Sequence, residues 1–173
     1  EAALTRLEMP FVKVGLRTLR DLPARLTVEP GRLAVNLVEG FPGHPDEPNL
    51  VPAVCRAFGR SVTGNDTAAL SLALDKAQAK AVLAAAGVPV PPGITVPVGG
   101  DLKDCRLPAG RYMVKPLRTD GSEGIDADSV AVWPGPALAA AVRRVHDGFG
   151  QPALVERFFG TREFNLSLLQ DGK

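Results

Sequence analysis

Hydrophobic positions fall into two textures along the chain. In the first, short apolar runs alternate with stretches of helical spacing. Residues 11–15 read as a short apolar strand, and leucines at 16, 19, 22 and 26 follow helical spacing, with Pro23 expected to limit any helix there. Residues 33–38, Leu-Ala-Val-Asn-Leu-Val, form a nearly continuous apolar strand that runs into a Gly- and Pro-rich loop over 39–48. A helix around 49–58 and a short strand over 61–63 complete a strand, helix, strand rhythm, which points to parallel α/β topology.

After Gly64 the texture changes. Asn65-Asp66-Thr67 is a good helix cap, and the alanine-rich run to Ala86 predicts two helices in succession, the second starting near Asp75 and stopping at Gly87. Ala79, Val82, Leu83 and Ala86 make its expected apolar stripe. A stiff connector over 88–93 leads to strands over 94–98, 112–115, 129–133 and 153–157. Between the last two lies a helix over 136–147 with Leu138, Ala141, Val142 and Val145 inward and Gly148 as its stop. Residues 163–169 alternate as a further strand and meet Asp171-Gly172, a hairpin signal without a returning strand. The fold class read from this pattern is α/β followed by α+β. The chain starts at Glu1 with no initiator Met and no signal pattern, and EAALTRLE resembles the tail of a helix, so the sequence is expected to be a fragment of a longer protein.

Composition narrows the function classes. Of 173 residues, 45% are hydrophobic, and Gly and Pro are scattered without a period, which excludes collagen-like, coiled-coil and disordered polymers. Twenty basic residues stand against 19 acidic ones, and aromatic content is 5%, so nucleic acid is a poor partner. No window approaches 18 uninterrupted apolar residues, so no membrane span is expected. Cys55 and Cys105, fifty positions apart with no CxxC, look like free thiols of a reducing, cytoplasmic compartment. His44 and His146 have no ligand-spaced partners, and His146 reads as a surface histidine.

The sequence has no GxxxxGK[ST], no GxGxxG and no HExxH. Three other segments carry candidate chemistry. Lys76 and Lys80 share one face of the second alanine-rich helix, directly after Asp75. Lys115 ends a strand that feeds the small-residue loop Thr119-Asp120-Gly121-Ser122-Glu123-Gly124. Last, Glu156-Arg157-Phe158-Phe159-Gly160 is followed by Glu163. Taken singly, the lysines fit solvated surface charges, the loop an ordinary hairpin, and the phenylalanine pair a core.

In this order and register, and preceded by a strand ending in NLVEG, the segments DK…K, VKP…GSEG and VERFFGTREF resemble the ATP-grasp superfamily of carboxylate–amine ligases, in its D-alanine:D-alanine ligase-like branch. The resemblance covers most of residues 33–169. It implies an N-terminal α/β domain over 1–64, truncated at its start, a central ATP-grasp subdomain over 65–155, and a hinge with the beginning of the C-terminal subdomain over 156–173. It implies an ATP- and Mg2+-dependent ligase that forms an amide through an acyl phosphate. Lys76 and Lys115 would contact the ATP phosphates, with Gly121 and Ser122 offering close backbone approach. Glu156 would accept from the adenine amine, the backbone over 157–159 would pair with the ring edge, Phe158 and Phe159 would give apolar contact, and Glu163 would meet the ribose. The metal ligands are expected beyond Lys173, so this stretch alone is expected to be inactive and to bind ATP weakly at best.

Two departures bear on substrate. Glu39-Gly40 stands where the D-alanine ligases have His-Gly, which changes charge and donor capacity and puts D-alanine specificity in doubt. Glu39 and Glu47 then become candidate contacts for a substrate ammonium. Gly121 replaces one of the two serines usual in the phosphate loop. The expected partner is a small amino acid or peptide-like substrate, with a homodimer usual in the branch. The competing readings are a degenerate or regulatory nucleotide-binding ATP-grasp protein and a purely structural α/β module.

Overall fold

The computed structural model describes residues 1–103, 105–160, 162, 164 and 166. The chain forms two compact units, residues 1–85 with 118–121, and residues 86–117 with the described part of 122–173. The first unit thus takes in both alanine-rich helices, whereas the motif-based division places a boundary at residue 64. The amide of Ala53 donates to Thr67 Oγ1 at 3.1 Å, which ties the start of the first alanine-rich helix to the segment before it.

In the first unit, α1 (Ala2–Arg6) precedes an irregular stretch, and residues 11–15 form no strand. Phe11, Val12 and Val14 are exposed, and no described strand pairs with them, so apolar content there has no ladder to complete. Pro23 does not limit the helix that follows. It sits in the first turn of α2 (Leu22–Val28), where a missing amide costs no hydrogen bond. Leu22 and Leu26 pack with Phe41, Val51 and Cys55 into a small core. The Arg60 guanidinium donates to the carbonyls of Leu26 and Glu29 at 2.9 and 2.8 Å, closing the end of α2.

The expected strand over 33–38 is regular only at β1 (Leu33–Ala34), which pairs in parallel with β2 (Ser61–Val62) around the intervening α3 (Val51–Ala57). Beyond Ala34 the backbone is held by side chains instead: the Asn36 amide donates to Thr63 Oγ1 at 3.1 Å, and the Val38 amide donates to Asn36 Oδ1 at 3.1 Å. Parallel α/β topology is therefore present in reduced form. Asp66 caps α4 (Thr67–Leu74), accepting from the Ala69 amide at 2.8 Å, and α5 (Lys76–Ala85) follows. The stripe expected on α5 is not buried: Val82 and Leu83 are exposed, and no residue of α5 is fully covered.

The second unit is a four-stranded antiparallel sheet, ordered β3 (Gly93–Val96), β6 (Ala153–Arg157), β4 (Gly110–Pro116), β5 (Val130–Trp133), with α6 (Pro136–Phe149) against one face. Leu138, Ala141, Val142 and Val145 of α6 meet Tyr112, Val114, Ala153 and Val155, as the helical spacing predicts. Gly148 is not the stop. It lies in the last turn, and Gly150, at φ +60°, ends the helix in the left-handed conformation that glycine adopts without strain. His146 is no free surface group either, since its Nε2 lies 3.3 Å from the Val96 carbonyl and links α6 to the end of β3.

Gly93 sits where β3 closes on β6. A Cβ there would collide with the Val155 carbonyl oxygen and stand 2.8 Å from Glu156 Cα, both backbone atoms of a central strand that cannot yield. Gly93→Ala is therefore expected to lower stability by about 1–3 kcal/mol, measured as a reduced urea midpoint of the full-length protein with an unchanged slope.

Candidate functional site

Strand alternation sorts β4 into two faces. Tyr112, Val114 and Pro116 are buried and Tyr112 and Val114 point to α6, which sends Met113 and Lys115 to the opposite face. In the antiparallel register Met113 stands opposite Glu156 and Lys115 opposite Leu154, so Glu156 and Lys115 become diagonal neighbours on that second face. Their side chains form an ion pair, Lys115 Nζ to Glu156 Oε1, at only 20% and 11% exposure. A poorly hydrated carboxylate needs a cation, and the lysine supplies it. Glu156, expected as an acceptor for an adenine amine, thus has Lys115 as a partner.

The residues after Glu156 are committed in part to the sheet. The Arg157 amide donates to the Pro92 carbonyl at 2.8 Å and the Phe158 amide to the Arg111 carbonyl at 3.0 Å, so these two donors are already used. The Arg157 guanidinium lies over Gly110, donates to the Ala109 carbonyl at 2.9 Å and stacks 5.5 Å from the Tyr112 ring. Phe158 lies under the Arg111 guanidinium at 5.0 Å. Phe159 is 73% exposed and borders a cleft of about 400 Å3, which Pro92, Ile94, Arg106, Leu107 and Tyr112 also line. The two phenylalanines therefore serve different surroundings, and only Phe159 borders the cleft. Glu163, expected at a ribose, lies outside the described residues.

A second cluster forms at the start of α5. Lys76 Nζ donates to the Thr119 carbonyl, with Thr119 Oγ1 at 3.4 Å. Beside it, Asp75 Oδ2 accepts from Arg118 Nε at 3.0 Å, while Oδ1 accepts from the amides of Ala77 and Gln78, each at 3.1 Å. Burial opposes the charge on Asp75, but the Gln78 amide, the Arg118 guanidinium and the Ala77 amide together outweigh it and hold the carboxyl below the usual aspartate range. Asp75, Arg118 and Thr119 lie within or beside the segments singled out from sequence, but none of them is given a role there. The capping rule could have found Asp75, since it precedes a helix, but nothing local marks Arg118 as its partner.

The loop that follows is bent as its small residues suggest. Gly121 and Ser122 both have positive φ, +53° and +63°, and Gly124 has φ +74°. Ser122 is a non-glycine residue in a conformation that costs free energy, which marks the turn as a constrained one. A Cβ at Gly124 would stand 2.7 Å from both Phe149 and Pro116, so glycine is also needed there for packing. Glu39 is exposed on the loop after β1, and Glu47 Oε1 lies 3.5 Å from His44 Nδ1. Among the described residues, no cluster of three or more His, Cys, Asp or Glu side chains is arranged to hold a metal ion, and no helix is long and apolar enough to cross a membrane.

No protein-family profile matches the chain. It is 31% identical over 160 residues to the D-alanine–D-alanine ligase of Citrifermentans bemidjiense, covering 92% of this chain and 49% of that protein. It is 34% identical over 106 residues to the cyanophycin synthetase of Trichormus variabilis, covering 60% of this chain and 11% of that protein. Among solved structures, D-alanine–D-alanine ligase from Bacillus anthracis superposes with a TM-score of 0.65 at 15% identity, over 90% of this chain and 48% of that one. The chain spans about half the length of such D-alanine–D-alanine ligases.

Two outcomes follow from the geometry. Lys115→Met removes the lysine cation from the poorly hydrated Glu156 and is expected to lower stability by about 3 kcal/mol, whereas Lys115→Met with Glu156→Leu recovers most of the loss, read from urea unfolding of the parent, each single variant and the double variant. The depressed folded pKa of Asp75 adds stability that is present above the unfolded value, near 3.8, and is lost as pH falls through the folded value. Asp75→Asn should therefore weaken the acid dependence of the thermal midpoint below about pH 4, leaving a parallel curve if Asp75 has no such role.

Proposed function

The chain is a D-alanine–D-alanine ligase-like member of the ATP-grasp superfamily, and from that premise we propose that the full-length protein is an ATP-dependent carboxylate–amine ligase. The observation that carries the reading is the strand register that sets Lys115 beside Glu156 on the sheet face away from α6. A carboxylate is inert toward amines because oxide is a poor leaving group. Phosphorylation by ATP converts it to an acyl phosphate, which an amine can attack with loss of phosphate.

The first step brings an anionic carboxylate toward an anionic phosphoryl group. Like charges about 4 Å apart repel by roughly 4 kcal/mol at an effective dielectric near 20. In this proposal Lys76 and Lys115 offset that repulsion at the phosphates, and Lys115 is the catalytic cation. The residue types suit a polyphosphate: Lys76 and Lys115 each carry a primary ammonium group, and the loop bends through consecutive positive-φ residues, Gly121 and Ser122, whose small side chains allow close backbone approach. Ser122 adds a hydroxyl donor. Glu156 orients Lys115, and Phe159, through its exposed ring, borders the side proposed to meet the nucleoside, with a ribose contact proposed for Glu163. Bound magnesium would add further positive charge at the phosphates.

Glu39 is proposed to face the acceptor substrate and to recognise an ammonium group. The C. bemidjiense relative is named for D-alanine, and the T. variabilis relative for cyanophycin, over overlapping parts of this chain, which supports the ligation chemistry more than any one amino acid. The proposed setting is the cytoplasm and the proposed assembly a homodimer.

The test is ADP release by the full-length protein with Mg·ATP and a panel of D- and L-amino acids. Amino-acid-dependent turnover is expected, with Lys115→Ala lowering kcat by at least about a hundredfold and Glu39→Gln raising KM for the amino acid with little change in KM for ATP. Turnover that no amino acid stimulates, or that survives Lys115→Ala, overturns the reading.

A further inference from the structure

The start of α5 carries a carboxylate with two tasks. An ordinary helix cap needs one accepting oxygen and lies in solvent, as Asp66 does on α4, where it is exposed and takes the Ala69 amide. Asp75 is only 6% exposed. Its Oδ1 satisfies the capping role toward Ala77 and Gln78, and its Oδ2 accepts from Gln78 Nε2 at 3.3 Å and from Arg118 Nε at 3.0 Å, a residue 43 positions away. Next to this link, Lys76 reaches Thr119. Two consecutive residues of the helix are thus joined to two consecutive residues of the turn. A single link leaves a swivel, whereas two adjacent links fix orientation as well as distance.

We propose that Asp75 is a positioning residue for polyphosphate binding, acting through Arg118 to clamp the 118–121 turn against the start of α5 so that Lys76 is presented in a set orientation. The inference rests on the nucleotide reading above, to which it adds a residue that touches no substrate. A charge-assisted bond from a buried carboxylate is strong enough to hold a short turn, and the low exposure of Asp75 limits competition from water. The Arg118 side chain is 58% exposed, so the bond can be cut from that side without opening a core.

The experiment uses the full-length protein with Asp75→Asn, Arg118→Gln, the double variant and Arg118→Lys. Asparagine keeps an oxygen for the cap but loses the charge that grips Arg118. Hydrogen exchange over the peptide containing 117–122 and calorimetric titration with Mg·ATP, and separately with adenosine, are the readouts. Either single variant is expected to speed exchange of the turn about fivefold or more and to weaken Mg·ATP about tenfold, with adenosine affinity unchanged and no further loss in the double variant. Arg118→Lys, which retains one donor, should restore Mg·ATP affinity to within about threefold of the parent. Unchanged exchange of the turn in Arg118→Gln, equal losses for adenosine and Mg·ATP, or additive losses in the double variant would each overturn the clamp. A parent protein that binds no Mg·ATP would sink the nucleotide reading instead, and the exchange measurement would still decide whether Asp75 holds the turn.

Discussion

Charge compensation between Lys115 and Glu156 is the interaction on which the second unit turns. Both side chains rise from interior positions of a four-stranded sheet, where water is scarce and an unpartnered charge is costly. The pair also constrains register. Slipping β4 by one residue against β6 would carry Lys115 to the face that meets Leu138 and Val142, and would send Val114 out of the core. Apolar burial on one face and charge pairing on the other therefore select the same alignment. A register specified twice fixes Lys115 and Glu156 side by side.

The first unit achieves local precision by other means. It has a small core around Leu22, Leu26, Phe41, Val51 and Cys55, and its two strands pair over two residues each. Order at the start of α5 comes from directional polar bonds: Asp75 to Arg118, and Lys76 to Thr119. Such bonds depend on geometry and on protonation in a way that apolar packing does not, so this edge is more sensitive to charge than the core of the unit.

Glycine marks the places where backbone must come close or turn sharply. Gly93 allows β3 to lie against β6 beside Glu156, and Gly124 fits between Phe149 and Pro116 after the left-handed turn at Gly121 and Ser122. Arg157 occupies the space that Gly110 leaves open, so an arginine that follows Glu156 in sequence serves the packing of Tyr112. Neighbours in a motif thus divide into a group on the sheet face away from α6 and a group that holds the sheet end together.

Much of the second unit was legible beforehand, because α6 and the strand at 110–116 bury one face and write their period into the sequence, while the strand at 153–157, buried from Ala153 to Glu156, shows as a short apolar run. The order of Lys76, Lys115 and Glu156 with the small-residue loop was legible too, as spaced motifs. Apolar runs at 11–15 and 35–38 misled, since a strand exists only when a neighbour completes its ladder, and a run of residues carries no record of that neighbour. The stripe on α5 misled for the same reason: amphipathic spacing states that a face can be buried, not that something covers it. The sequence by itself determined periodicity, caps and the residue types available for chemistry, because these are set by the covalent chain within a few positions. Tertiary structure alone decided that Glu156 meets Lys115 and that Asp75 meets Arg118, because each bond joins residues about forty positions apart whose encounter depends on the packing of everything between them.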